Sequence, residues 1–344
     1  KAHALLGHPD ETRTRAAAKA RGWEITRDSF RKCEACAVAK AKRKNIPRNT
    51  ETASHVRNNG NRIRQATRPG ERLYLDLSSL RRPKNPLVKT PFVSRPHMRL
   101  IHDEYSGCRF LKWFERKNGM IEPTCELLHN RDSKGRKCKI LRMDGAGENQ
   151  MLEARLKSEQ WKLTMEIEYT ARNSPFQNSL AETGIFAICN RARALCAHAG
   201  IPKIYRYRIF SLACETACCL DWLMVTEKAN VTKTKVEWFS GNVPRFAEHL
   251  RIFGEAGVVT TTTETSPKVQ DRGVTCLMGG YCPNREGDCY KMYDPIRIVI
   301  YFSRDVVWLN KLYFTRPIND DNNQQNPVSY THLRAHETRG NLVC

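Results

Sequence analysis

A short, mostly apolar run at residues 140–143 delivers Asp144 to its C-terminal end. Gly145 and Gly147 follow, and then a helical pattern begins. This succession constrains the chain most, because it calls for an α/β layer with a carboxylate at a strand end. An acid presented there on a glycine turn can reach a metal ion or a phosphate. Acid–glycine turns are common in α/β proteins, so the reading gains weight only if further carboxylates arrive from elsewhere.

Two do. Residues 73–78 alternate, with Leu73, Leu75 and Leu77 on one face and Tyr74, Asp76 and Ser78 on the other. An Asp inside a strand is unfavourable unless it has a partner or a role. Farther on, a polar, proline-bearing loop from residue 169 leads into a helix that Asn178 or Ser179 can cap and that runs to about residue 198. Glu182 falls on its first turns. Leu180, Ile185, Ile188, Cys189 and Leu195 supply the core stripe, and Arg191 and Arg193 are expected outside it. Strands at 98–103 and 108–114 read as a hairpin around the 104–107 turn. Helices are expected at 120–129, 151–161 and 207–224, and strands at 139–143 and 163–168. Hairpin strands together with strands separated by helices predict a mixed α/β sheet. Two other acids compete as ligands: Asp103 reads as a turn acid, and Glu148 as a helix N-terminal acid favoured by the dipole. Polar residues satisfied around a sheet edge are the plainer alternative for Asp76, Asp144 and Glu182.

The N-terminal segment carries His3, His8, Cys33 and Cys36 in the pattern H-x4-H-x24-C-x2-C. Two imidazoles and two thiolates complete a tetrahedral zinc shell with no open position, so the expected site is structural rather than catalytic. A helix over 11–21 would span the gap and pack on the site. Two surface histidines and two unligated cysteines are the alternative. The histidines do not share a helical face, and Gly7 is expected to break the backbone between them. Residues 40–68 are polar and basic and read as a linker lying along phosphates; a merely solvated linker would look much the same.

The chain holds 58 Lys and Arg against 36 Asp and Glu, net +22. Such an excess favours a polyanionic partner, most simply nucleic acid, over a generically basic protein. No long uncharged apolar run or basic amphipathic helix points to a membrane. The 14 cysteines show no regular framework and nothing at the N-terminus reads as a secretory signal, so reduced thiols inside a cell are expected. The abrupt Lys1 start reads as that of a fragment of something longer. Residues 231–259 read as irregular. Short strand-like runs at 274–281, 289–293, 296–302 and 305–309 predict a small β-barrel or sheet. Cys276, Cys282 and Cys289 lack a fourth ligand at suitable spacing and read as core. The segment from Pro327 resembles translated adaptor sequence, without function, and its His332 and His336 are set aside.

Taken in order, these motifs resemble the integrase region of copia-type LTR retrotransposon polyproteins. Leu6-Gly-His8 and Cys33-Glu-Ala-Cys36 look like the zinc-binding pre-integrase segment. Leu75-Asp76-Leu, Arg142-Met-Asp144-Gly-Ala-Gly-Glu-Asn and Ser174-Pro-Phe-Gln-Asn-Ser-Leu-Ala-Glu182 match the catalytic motifs, with 37 residues between Asp144 and Glu182. Leu250-Arg-Ile-Phe-Gly254, Gly279-Gly-Tyr281, Tyr293-Asp-Pro295 and Ser303-Arg-Asp-Val-Val307 match the C-terminal region. The resemblance implies an RNase H-like mixed five-stranded sheet with flanking helices, preceded by a small zinc-binding helical segment and followed by a small β-rich domain. The boundaries expected are 1–47 for the zinc segment, 48–69 for the linker and 70–225 for the core. They continue with 226–265 for a connector, 266–316 for the β-rich domain and 317–344 for an artefactual tail. The implied activity is 3′-end processing and DNA strand transfer. Asp76, Asp144 and Glu182 would hold two Mg²⁺ or Mn²⁺ ions roughly 4 Å apart, and His3, His8, Cys33 and Cys36 would hold Zn²⁺. Implied partners are double-stranded DNA, as element ends and target, and further copies of the chain. The implied location is the nucleus after a cytoplasmic virus-like-particle stage. An inactive DNA-binding remnant and an RNase H-like nuclease without joining activity are the alternatives. Three departures bear on activity more than fold: Phe176 replaces a second glutamine, Gly184, where a helix loses roughly 1 kcal/mol relative to Ala, follows Glu182 closely, and the segment 203–208 is unusual for the family.

Overall fold

The computed structural model describes residues 1–25, 33–40, 66–80, 95–170, 179–260, 272–282 and 287–314. The expected linker up to residue 65, the 174–178 part of the third catalytic-motif match with Phe176 and the candidate cap Asn178, and the 317–344 tail lie outside these residues.

Three helices come first: α1 (Ala2–Leu5), α2 (Glu11–Ala20) and α3 (Glu34–Lys40). Asp10 starts α2 by accepting a hydrogen bond from the Arg13 amide at 2.9 Å, which satisfies one of the donors a helix start leaves over. Thr14, Ala17 and Ala18 form the buried side of α2.

The central sheet contains β1 (Arg72–Ser79), β2 (His97–Asp103), β3 (Arg109–Phe114), β4 (Ile140–Asp144) and β5 (Glu166–Thr170), in the order β3-β2-β1-β4-β5. The first three strands form an antiparallel meander, while β4 and β5 run parallel to β1. Helices α4 (Ile121–Asp132) and α5 (Gly147–Leu156) connect β3 to β4 and β4 to β5. This is the RNase H-like mixed sheet. On one face Leu73, Leu75, Leu141 and Met143 pack against Cys125 and Leu128 of α4 and Leu152 and Leu156 of α5. Each Leu or Met side chain here contributes about 1.5–3 kcal/mol by leaving water. A slip of one residue in β1 or β4 would drive Asp76 or Asp144 into this layer, so the core fixes the register of the acids. On the opposite face Met98, Leu100 and Trp113 meet α6 (Ser179–His198) and α7 (Lys203–Trp222) through Ile188, Leu195, Ala213 and Ala217.

Helices α5 and α7 begin earlier than expected at 151 and 207. The residues before them, Ala146 (φ −66°, ψ 152°) and Pro202 (φ −59°, ψ 149°), hold the extended conformation of a helix N-cap. The region expected as a connector, 226–265, is more ordered than its sequence suggests. It holds most of the hairpin β6 (Val225–Lys228) and β7 (Val231–Thr234), helix α8 (Lys235–Ser240) and strand β8 (Glu255–Thr260). A capping box starts α8: Thr234 Oγ1 accepts from the Glu237 amide at 3.2 Å, and Glu237 Oε2 accepts from the Thr234 amide at 2.8 Å. With β9 (Gly273–Tyr281), β10 (Tyr290–Asp294), β11 (Val299–Ser303) and β12 (Val306–Leu312), β8 forms an antiparallel sheet ordered β11-β10-β9-β8-β12.

Helix α7 lies between the two sheets. Its Leu212, Ala213 and Ala217 join the core under β2 and β3, and its Cys219 and Leu220, with Leu223 just beyond its end, join Met278, Tyr281 and Met292 of the second sheet. Gly279 permits the close approach, because a Cβ there would lie 3.2 Å from Leu212 Cδ1. Cys276, Cys282 and Cys289 are buried as expected of core residues, and no disulfide joins the described cysteines. No helix among the described residues is long and apolar enough to cross a membrane.

Candidate active site and metal centre

Parallel pairing of β1 with β4 matches Leu73 to Leu141 and Tyr74 to Arg142. Two residues farther along each strand stand Asp76 and Asp144, so the same register brings them level. Residues level on adjacent strands share a face. Since Leu75 and Met143 point into the α4–α5 layer, the two acids point to the other side, where α6 packs. There Asp76 is matched across β2 by Leu100, which the α6 core covers. Glu182 is exposed on the first turn of α6.

The charges of Asp144 and Glu182 are felt at Asp76, although the three carboxylates do not close into a ligand cluster as the His/Cys group does. The Asp76 pKa is raised from 3.8 to about 6, first by burial and then by the charges of Asp144 and Glu182, against a lowering hydrogen bond from the Leu77 amide at 2.8 Å. Among the described residues, none of the three carboxylates makes an ion pair. Nearby acids on the same face behave differently: Glu168 of β5 takes Arg72 at 2.7 Å and Arg142 at 3.6 Å. Asp76 is half-buried and Asp144 and Glu182 are exposed, and carboxylates left without counter-charge suit a hard divalent cation. Asp144 Oδ1 accepts hydrogen bonds from the Asn149 side chain at 2.5 Å and the Ala146 amide at 3.2 Å, which fix its orientation.

A raised carboxylate pKa means that the folded chain takes up a proton before the unfolded chain does. Through Asp76, metal-free protein is therefore stabilised as pH falls from about 6 towards 3.8, and destabilised as pH rises through 6. Cation binding needs the ionised form, so Mg²⁺ affinity measured by calorimetry is expected to fall about tenfold per pH unit well below 6. In Asp144→Asn the midpoint moves to lower pH, because one of the charges that raises it is gone. A midpoint unmoved by that substitution would contradict the coupling.

The competing acids are engaged elsewhere. Asp103 is fully buried and accepts from the Gly70 amide at 2.7 Å and from the Ser106 amide at 2.8 Å and hydroxyl at 2.5 Å. Glu148 pairs with Lys117 at 2.9 Å, and that hydrogen bond lowers its pKa.

The glycines after Asp144 are not what their sequence suggests. Neither Gly145 nor Gly147 adopts a positive φ, and a Cβ on either would meet open space. They leave room beside Asp144 but the backbone does not require them. Gly184 is the position where glycine is needed. A Cβ there would lie 2.7 Å from Leu100 Cδ2 and 3.1 Å from Arg109 Nε, so the missing side chain lets α6 seat on β2 beside the strand position that faces Asp76. Gly184→Val is expected to cost roughly 1–3 kcal/mol by overpacking, which exceeds its helix-propensity gain. Thermal melts should show the loss; an unchanged or raised melting temperature would mean that α6 does not depend on this contact.

The second cluster is closed. His3, His8, Cys33 and Cys36 bring one ligand atom each to within 4.8 Å of one another. His3 Nε2 lies 3.2 Å from Cys36 Sγ, and His8 Nδ1 lies 3.4 Å from Cys33 Sγ and 3.6 Å from Cys36 Sγ. Burial, followed for His3 by the Lys40 charge and for His8 by His198, lowers the imidazole pKa values to about 4 and about 2. Both rings are thus neutral, the form that binds metal. Two neutral imidazoles converging with two thiols fit a tetrahedral zinc ion.

Asn149, Gly184, Arg191 and Asp221 were not among the expected site residues. Arg191, expected outside the core stripe, is buried and makes hydrogen bonds to the Leu6 carbonyl at 2.6 Å, the Gly7 carbonyl at 3.0 Å and Asp221 at 3.0 Å.

The architecture is a mixed five-stranded sheet with flanking helices, an attached His/Cys cluster and a second, antiparallel sheet. No family model matches the chain. The chain is similar to the retrovirus-related Pol polyprotein from transposon TNT 1-94 of Nicotiana tabacum, 28% identical over 176 residues. That match covers 51% of this chain and only 12% of the polyprotein. Among solved structures, a simian T-cell lymphotropic virus intasome in complex with PP2A regulatory subunit B56 gamma overlaps 67% of this chain and 74% of its own, at TM-score 0.37 and 14% identity. The HTLV-2 integrase catalytic core domain in complex with magnesium overlaps 51% and 99%, at TM-score 0.34 and 13% identity.

Proposed function

We propose that the chain is the integrase region of a retrotransposon polyprotein and carries out 3′-end processing and strand transfer on DNA. The observation that supports this reading most is the register that sets Asp76 and Asp144 level on β1 and β4, with the charges of Asp144 and Glu182 felt at Asp76. Those three would hold Mg²⁺ or Mn²⁺, which supplies Lewis-acid stabilisation of charge at the reacting phosphodiester. The chain's own part is positional. The leucine layer under β1 and β4 sets the level of the two aspartates, Asn149 orients Asp144, and the Gly184 contact seats the helix bearing Glu182. His3, His8, Cys33 and Cys36 would hold a structural zinc ion and take no part in chemistry. The net charge of +22 favours DNA binding through phosphates, salt-sensitive and with little sequence readout. Joining two element ends calls for a homo-multimer, and the work of such a protein lies in the nucleus after a cytoplasmic particle stage.

The test is an assay with Mg²⁺, a short duplex carrying an element end and a supercoiled target. Joined product supports integrase activity. Cleavage without joining would make the chain a nuclease of the same fold, and Mg²⁺-independent binding with no product would make it an inactive remnant.

A further inference from the structure

His8 reaches its cluster from a strained backbone. Gly7 and His8 are consecutive left-handed residues, at φ 71° and 56°. For a residue with a side chain such as His8, that conformation is unfavourable and persists only when its surroundings hold it. Two of the restraints come from the N-terminal segment itself. The His8 amide donates to the His3 carbonyl at 2.9 Å, and Lys40 Nζ donates to the His8 carbonyl at 2.8 Å.

The other restraints come from the core, about 180 residues away in sequence. Arg191 of α6 donates from Nη2 to the Leu6 carbonyl at 2.6 Å and from Nε to the Gly7 carbonyl at 3.0 Å. Its Nη1 is held by Asp221 of α7 at 3.0 Å, with both side chains buried. The turn also lies directly against α7, since a Cβ on Gly7 would come 2.7 Å from Leu220 Cδ1. Leu6 is fully buried with Ala17 and Met224, and the His198 ring in the last turn of α6 sits 5.0 Å from the His8 ring.

We propose that Arg191 is a positioning residue for the zinc cluster. It holds the 6–8 turn in its ligand-presenting shape before metal arrives, so zinc affinity is set in part by the core helix α6. Binding and stabilisation are reciprocal, so zinc in turn stabilises α6. This rests on the reading of the cluster as a zinc site. The guanidinium suits the task because its fork reaches two carbonyls and a carboxylate at once, which a lysine ammonium does not do with the same geometry.

The experiment uses the full chain and zinc itself. Affinity is measured by competition with a chromophoric chelator, at a temperature where circular dichroism shows each variant folded. Arg191→Lys retains a charge beside Asp221 but loses the fork, and is expected to bind zinc about 10- to 100-fold more weakly, the usual effect of losing a ligand's support. A purely structural role for Arg191 would lower the melting temperature and leave the affinity of the folded protein unchanged, and that result would overturn the proposal. Hydrogen exchange on the unaltered protein provides a second reading that no folding defect can blur. Removing zinc should speed amide exchange in residues 183–198, and identical exchange with and without zinc would likewise overturn it. If the unaltered protein takes up no more zinc than Cys33→Ser/Cys36→Ser, the zinc reading itself falls and the proposal falls with it.

Discussion

Asp144→Asn is expected to lower Mg²⁺-dependent strand transfer by at least about a thousandfold, with little change in folding or DNA binding. The size follows from the role proposed for the carboxylate: a bound cation contributes several kcal/mol of charge stabilisation at a reacting phosphodiester, and each 1.36 kcal/mol is a factor of about ten in rate. The selectivity follows from where Asp144 sits. It is exposed at the end of β4, and its contacts are accepted hydrogen bonds from the Ala146 amide and the Asn149 side chain. An Asn carbonyl oxygen can accept both, so the 144–149 turn is retained and only the charge is lost. DNA affinity and its salt dependence should stay as they were, because they come from Lys and Arg contacts to phosphates rather than from this acid. Strand transfer, filter binding across salt concentrations and a thermal melt on the same preparation separate these effects. Product formation at the unaltered rate would remove Asp144 from the active site.

The strands that carry the acids were legible because alternation in β1 and the apolar run of β4 are local signals, and the core reads them as the sequence does. Asp76 and Asp144 came from position in that pattern. Their levelness came from pairing, which no local pattern states. Some misses had signals that were present. Arg191 lies at helical spacing between Ile188 and Leu195, both on the buried stripe, so its burial follows from period alone; its charge argued the other way because Asp221, its partner, lies on another helix. Asn149 likewise shares the buried stripe of α5 with Leu152 and Leu156. Thr234-Lys-Val-Glu237 is a capping-box sequence in a stretch expected to be irregular. Other features could not be read. Gly184 looks like a weakened helix until Leu100 and Arg109, far away in the chain, are seen beneath it. Strand β7 is exposed over most of its length and lacks an apolar face to announce it.

Asp221→Asn is expected to destabilise the protein by about 3–5 kcal/mol, the usual cost of breaking a buried ionic group by removing one partner. Asp221 is almost fully buried near the end of α7 and meets three cations: Lys235 of α8 at 2.8 Å, Arg191 of α6 at 3.0 Å and Arg109 of β3 at 3.1 Å. Burial alone would raise its pKa, yet the charges of Lys235, Arg109 and Arg191 overcome burial and lower it below 3.8. A carboxylate with a depressed folded pKa stabilises the fold above the unfolded value, and that contribution is lost as pH falls through the folded one. The substitution removes it at neutral pH and leaves the buried Arg191 and Lys235 and the half-buried Arg109 facing one another. Of these only Lys235 can readily shed its charge, and burial already lowers its pKa. The deficit of Asp221→Asn should therefore shrink as pH is raised, and Asp221→Asn/Lys235→Met should recover part of it at neutral pH. The consequences reach both clusters, since Arg191 holds the turn that presents His8 and Arg109 lies beneath Gly184 at the start of the helix bearing Glu182. Urea unfolding of the single and double variants across pH gives the measurement. A loss under about 1 kcal/mol, or a deficit that does not respond to pH, would mean that the three cations find other partners and that Asp221 does not join the two sites.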